Sequence, residues 1–174
     1  VSEDRALLLS ENGEVVVPAG EYQDICSLID GERCAYGVQT DDGLRYALGD
    51  AQGNLLTEAA YEALAAAQDC ILFRQNGRCG AMTTDGKVQI EAIYTQLVSC
   101  GGGKFLATQT DPCDEEPDEV LRIVPGLEPE RTGVRTELEL TAPVSDRMPF
   151  YSSDAGRYGY LDGYGKVFLS PHLS

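Results

Sequence analysis

The chain has 174 residues, 43% of them hydrophobic, enough for the core of one ordinary domain. Against 13 Lys and Arg stand 29 Asp and Glu, a formal net charge of −16. Such a surface repels nucleic-acid phosphates and anionic membranes, and Arg33, Arg45, Arg78 and Arg157 are too scattered to form a basic stripe, so nucleic-acid binding is excluded as a class.

The chain opens Val1-Ser2-Glu3-Asp4-Arg5, without methionine or a basic-then-apolar leader, and we expect it to be part of a longer polypeptide. No run approaches the ~18–20 apolar residues of a spanning helix. Gly13-Glu14-Val15, followed by Tyr22-Gln23-Asp24-Ile25, is the first and weakest copy of a pattern that then recurs. Asp42-Gly43 marks a hairpin, and Tyr46-Ala47-Leu48-Gly49-Asp50-Ala51-Gln52-Gly53-Asn54-Leu55 carries a second turn seven to ten places on. Asn76-Gly77 repeats the hairpin, and Cys79-Gly80-Ala81-Met82-Thr83-Thr84-Asp85-Gly86-Lys87-Val88 repeats the turn. Gly53 to Gly86, Tyr61 to Tyr94 and Leu64 to Leu97 are each a step of 33 residues. A last copy lies at Tyr158-Gly159-Tyr160-Leu161-Asp162-Gly163-Tyr164-Gly165-Lys166-Val167, preceded by Gly156-Arg157 as Gly77-Arg78 precedes Cys79.

These features predict an all-β domain over 1–174, made of about four tandem hairpin or meander units at roughly 6–45, 46–78, 79–108 and 156–174, with a long insertion over roughly 109–155. The insertion contains strand-like Val120–Val124 and the alternating Val134–Leu140, giving one or two extra hairpins plus an acidic loop. Glu58–Gln68 is alanine-rich and helical by propensity alone. Because Tyr61 and Leu64 keep the register of Tyr94 and Leu97, a short helical turn is the most we expect there.

The recurring pair, Gly-Lys turn, β-branched run and Tyr followed three residues later by an aliphatic resemble the WG-repeat family over residues 6–108 and 156–174, with Tyr46-Ala47, Cys79-Gly80 and Tyr158-Gly159 in place of Trp-Gly and no tryptophan in the chain. The resemblance implies a bacterial, often exported or envelope-associated repeat protein without assigned catalytic activity, and it brings no catalytic residues.

Chemistry-bearing motifs are few. His172 is the single histidine and lies near the end with Ser170 and Ser174, without a positioned base and orienter for a triad. Gly101-Gly102-Gly103-Lys104 lacks P-loop spacing and reads as a link between strands. The six cysteines contain no Cys-x-x-Cys, so zinc-ribbon and thioredoxin sites are excluded. Cys26/Cys34, Cys70/Cys79 and Cys100/Cys113 could staple local hairpins, or the thiols could be buried as small hydrophobes. Asp111, Asp114, Glu115, Glu116, Asp118 and Glu119 are the candidate oxygen ligands for Ca2+, although prolines interrupt them and the EF-hand pattern is missing. Tyr61 and Tyr94, being in phase, should be structural, whereas Tyr151 and Tyr164 fall outside the pattern and are the candidate binding residues.

The expectation from sequence is therefore a non-enzymatic repeat module with no resident cofactor. It would be exported or in the cell envelope, meeting an unknown protein or surface polysaccharide or serving as a scaffold. A calcium-stabilised adhesive module and a carboxylate-based hydrolase are the alternatives.

Overall fold

A computed structural model describes residues 6–110, 118–135, 147–152, 157–162 and 166–169. Among them there is no helix, and the sixteen strands form five antiparallel sheets, each a meander of strands adjacent in sequence. The first sheet is β1 (Leu8–Leu9) and β2 (Val15–Val17). The second runs β3 (Asp24–Ile29), β4 (Arg33–Thr40), β5 (Gly43–Asp50). The third has β6 (Ala63–Ala67), β7 (Cys70–Gln75), β8 (Arg78–Met82) and β9 (Val88–Tyr94). The fourth has β10 (Gln96–Gly101), β11 (Lys104–Thr108), β12 (Glu119–Ile123) and β13 (Glu130–Arg135). The fifth has β14 (Arg147–Ser152), β15 (Arg157–Asp162) and β16 (Val167–Leu169).

Turn chemistry sets these boundaries. Asn76 (φ 52°) and Gly77 (φ 71°) both take left-handed backbone between Gln75 and Arg78, the two-residue hairpin that the Asn-Gly pair predicts. The second turn carries the same pair of hydrogen bonds in four places. Backbone amides of Ser10, Asp50, Thr83 and Asp162 donate to the carbonyls of Glu14, Asn54, Lys87 and Lys166. In return, the Glu14, Asn54, Lys87 and Lys166 amides donate to the side-chain oxygen of Ser10, Asp50, Thr83 and Asp162 at 3.1, 2.9, 3.1 and 2.8 Å. A short oxygen-bearing side chain at the first position and glycine before the last are what this turn selects.

The 33-residue phase extends to pairing. Cys79↔Tyr94 and Met82↔Val88 in the third sheet match the isolated bridges Tyr46↔Tyr61 and Gly49↔Leu55 beside the second. The alanine-rich stretch shows no helical turn. Ala63–Ala67 is β6, and Leu64, facing Phe73 across the ladder, packs into the core, where burial outweighs a helix preference of a few tenths of a kcal/mol per residue. The described part of 109–155 builds regular sheet. β12 and β13 pair to complete the fourth sheet, and β14 opens the fifth. Gly102 (φ 60°) and Gly103 (φ 67°) turn β10 into β11, so the triple glycine is a strand link as expected.

Sheets stack in chain order because successive side chains of a strand point to opposite faces. From β7 and β8, Ile71, Phe73 and Met82 pack with Leu48, Leu28 and Ile29 of the second sheet, whereas Cys70 and Ala81 pack with Leu97, Phe105, Ala107 and Ile123 of the fourth. The fourth sheet sends Val98, Leu106, Val120 and Val134 the other way, onto Phe150 and Leu161 of the fifth. Cys34 and Tyr36 face Leu8 and Val17 of the first.

In three sheets an aromatic lies directly across the ladder from a very small residue: Tyr36↔Ala47, Phe73↔Gly80 and Phe150↔Gly159. A Cβ at Gly80 would lie 2.5 Å from Phe73 Cζ and 2.7 Å from the Ile90 carbonyl oxygen, so even a methyl displaces main chain. Gly80→Ala should therefore lower stability by about 1–3 kcal/mol. Urea denaturation checks this, and an unchanged midpoint would contradict the packing described.

Candidate functional site

Several side chains with chemical capacity bond at the seams between sheets, and others within a sheet or its turn. At the crossings into the second, third and fourth sheets, the residue after an in-phase tyrosine donates its amide to the second strand of the sheet being entered. The pairs are Gln23 to Gly37, Glu62 to Arg74 and Thr95 to Thr108, each at 2.8 Å. The tyrosine then lies on the same second strand. Tyr22 meets Tyr36 and Tyr61 meets Phe73, both with ring centroids 4.8 Å apart, while Tyr94 is buried with Ala107. Tyr61 and Tyr94 are thus the structural residues their spacing predicts, and burial raises the pKa of both hydroxyls.

Polar groups reinforce these seams. Arg33 on β4 reaches the turn of the third sheet, where Nε donates to the Thr84 carbonyl at 2.5 Å and an ion pair forms with Asp85 at 2.8 Å. Arg78 donates to Thr95 Oγ1, which also contacts Thr110, and Thr110 donates to Asp118 at 2.8 Å, tying β8 to the start of β12. Tyr36 donates to the Asp50 carbonyl at 2.6 Å. Tyr46 donates to Asp24 at 2.9 Å, and burial together with that carboxylate pushes its pKa up to about 12. Asp50 is held below its ordinary value, first by the Asn54 side-chain amide and then by the amides of Asn54 and Gln52. A depressed carboxyl stabilises the fold above its unfolded value of 3.8, and that contribution is lost as pH falls through the folded value. Thr108 Oγ1 alone, among the described residues, is a buried side-chain oxygen without a partner.

Of the candidate calcium ligands, Asp111, Asp114, Glu115 and Glu116 lie outside the described residues. Asp118 accepts from Thr110, and Glu119 pairs with Arg131 at 3.3 Å and accepts from the Gly133 amide at 3.1 Å. Two of the six carboxylates are therefore engaged by protein groups. Among the described residues, no group of three or more His, Cys, Asp or Glu is placed to hold a metal ion. Tyr151 occupies β14 directly opposite Tyr158, while Tyr164 and His172 lie outside the described residues. Among those described, no helix is long and apolar enough to cross a membrane.

Cys26, Cys34, Cys70 and Cys79 are free thiols, and Cys113 lies outside the described residues. Register explains two of the local pairs. Cys26 is opposite Ala35, so Cys34 points to the other face of the second sheet. Cys70 and Cys79 share a face but are offset along it, because Cys79 is opposite Arg74; four residues of strand span about 13 Å, beyond disulfide reach. Burial raises all four of these thiols above their ordinary pKa, with Asp24 adding to the effect at Cys26. Without reductant, alkylation of the native chain should label exposed Cys26 first, faster as pH rises, and should reach buried Cys34 and Cys70 only after denaturant is added. Peptide mapping checks this; a reductant requirement at any of the three would contradict the ladder registers.

No family model matches the sequence, and no curated protein matches it. Among solved structures, one titled as the crystal structure of a nidogen/laminin complex is similar at a TM-score of 0.45 and 12% identity, over 95% of this chain and 74% of that chain.

Proposed function

We propose that this chain is a non-catalytic repeat module of an exported or cell-envelope bacterial protein, acting as a scaffold that presents its surface to a protein or polysaccharide partner. The observation that supports this reading is where the reactive groups go. Arg33, Arg78 and Thr95 bond from one sheet toward the next, and Tyr36, Tyr46 and Asp50 bond within the second sheet and its turn. The shifted pKa values have the same origin, in burial and in local contacts that hold sheets and turns. A catalytic site instead gathers perturbed groups around a cleft where substrate would sit. Export and bacterial origin rest on the WG-repeat resemblance alone.

Co-sedimentation of the purified chain with isolated bacterial envelope, before and after protease or glycosidase treatment of that envelope, tests the reading and separates protein from polysaccharide partners. Saturable binding that chelator leaves unchanged is expected. Binding, or a melting temperature, that collapses on chelation would instead establish the calcium-dependent module. Turnover of glycoside or ester substrates, abolished by a single carboxylate-to-amide change, would replace the scaffold reading with an enzyme.

A further inference from the structure

We propose that β6 is an open docking edge, and that an extended polypeptide segment adds to it as a further strand of the third sheet. That segment carries β-branched apolar residues at alternate positions and Lys or Arg at its ends. The inference rests on the scaffold reading, and names the class of partner and the surface that receives it.

β6 is the end strand of its sheet, with β7 on one side and, among the described residues, no strand on the other. Ala67 and Cys70 face each other across the two-residue turn Gln68-Asp69, which makes them a hydrogen-bonded pair. Ala65↔Leu72 and Ala63↔Arg74 are then the next hydrogen-bonded pairs of the ladder. The N–H and C=O groups of Leu64 and Ala66 therefore point to the open side, where an added strand would bond them.

Proteins ordinarily guard such edges, and the first strands of the neighbouring sheets are guarded. β3 carries Asp24, and β10 is buried along Leu97, Val98 and Ser99. β6 has neither protection. Its residues are Ala63-Leu64-Ala65-Ala66-Ala67, without charge or proline, and Ala63, Ala65 and Ala66 are exposed. Ala63 and Ala65 share a face with Ala67, which packs toward the fourth sheet, while Ala66 shares the face of Leu64, which packs toward the second. The strand therefore overhangs both neighbours. Its small side chains leave room beside them for larger ones on the incoming strand.

Charge selects the partner. From Tyr46 to Phe73 the chain has four acids, Asp50, Glu58, Glu62 and Asp69, and no Lys or Arg. Glu62 immediately precedes β6 and Asp69 lies in the turn that follows it. Glu58 acts at the entry to the strand, where burial and then Glu58 and Glu91 raise the Tyr61 hydroxyl. Arg74, opposite Ala63, offsets one of these charges. The field at this edge favours a cationic segment, and −16 on each copy opposes pairing of β6 with the β6 of a second molecule.

The probe is the fluorescein-labelled peptide Lys-Val-Thr-Val-Thr-Val-Lys, with Glu-Val-Thr-Val-Thr-Val-Glu as its charge-reversed control. Anisotropy titration at low and at physiological ionic strength reads affinity, and amide hydrogen exchange with and without peptide reads the place. The cationic peptide should bind, more weakly at the higher salt, and should slow exchange of the Leu64 and Ala66 amides. The acidic peptide should bind at least about tenfold less tightly. Ala66→Pro removes an outward N–H that the β6–β7 ladder does not use, and should weaken binding about tenfold while circular dichroism stays native. Ala65→Lys leaves the backbone intact and should weaken binding as well, by placing a charge on the docking strand; it decides the matter where proline disturbs the sheet. The proposal is overturned if the cationic peptide does not bind, if the two peptides bind alike, if Leu64 and Ala66 exchange as before at saturation, or if the folded variants bind as the wild type does. A wild-type dimer in sedimentation velocity that Ala66→Pro abolishes would also overturn it, by making a second copy the occupant. The scaffold reading fails separately, through turnover or chelator sensitivity in the assays above. Envelope binding that persists in Ala66→Pro, with no peptide docking in the wild type, would keep that reading and reject this one.

Discussion

Two-sided burial is the constraint on which the rest of this structure depends. A three- or four-stranded meander of three- to eight-residue strands has two apolar faces and cannot cover either by itself. Ile71 and Phe73 therefore point back to the second sheet while Cys70 points forward to the fourth, and the same alternation recurs through β11, where Phe105 and Ala107 face one neighbour and Leu106 the other. Apolar surface removed from water stabilises by ~25 cal/mol per Å2, whereas an exposed ion pair such as Arg33–Asp85 contributes about 1 kcal/mol or less.

Register then becomes strict, because a slip of one residue would exchange the two faces of a strand and undo both interfaces. The small residues opposite Tyr36, Phe73 and Phe150 follow from this. The Phe73 ring, which packs toward the second sheet, closes on its cross-strand neighbour Gly80 and leaves no room for a side chain there, and the Tyr36 ring closes on Gly49 in the same way. The in-phase tyrosines close the same gap from the other side.

Much of this was legible in the sequence, for identifiable reasons. Turns depend on local chemistry, so Asn76-Gly77 and the Gly53 and Gly86 turns could be placed from residue type, and the shared 33-residue step carried Tyr61 and Tyr94 to equivalent structural places. The role of β12 and β13 as two of the fourth sheet's four strands was less visible. Their connections, the acidic stretch between β11 and β12 and the Pro125-Gly126 turn, differ from the Asn-Gly and Gly-Lys turns that revealed the other units. Alanine propensity at 58–68 points to helix because it reports only on the isolated chain, and the shared register of Tyr61 and Leu64 with Tyr94 and Leu97 was the better guide to the strand there. The thiols could not be resolved from spacing, since disulfide reach depends on strand register and face.

The central claim, that neighbouring sheets are stable through one another, is tested most directly by native-state hydrogen exchange of the wild-type chain and a Leu48→Ala variant. Leu48 belongs to the second sheet but fills the interface with the third. Mutual stabilisation predicts that the truncation lowers protection of amides in β7 and β8 as well as in β4 and β5, by comparable free energies. A loss confined to β4 and β5, with β7 and β8 unchanged, would contradict it and would mean that each meander holds its structure independently.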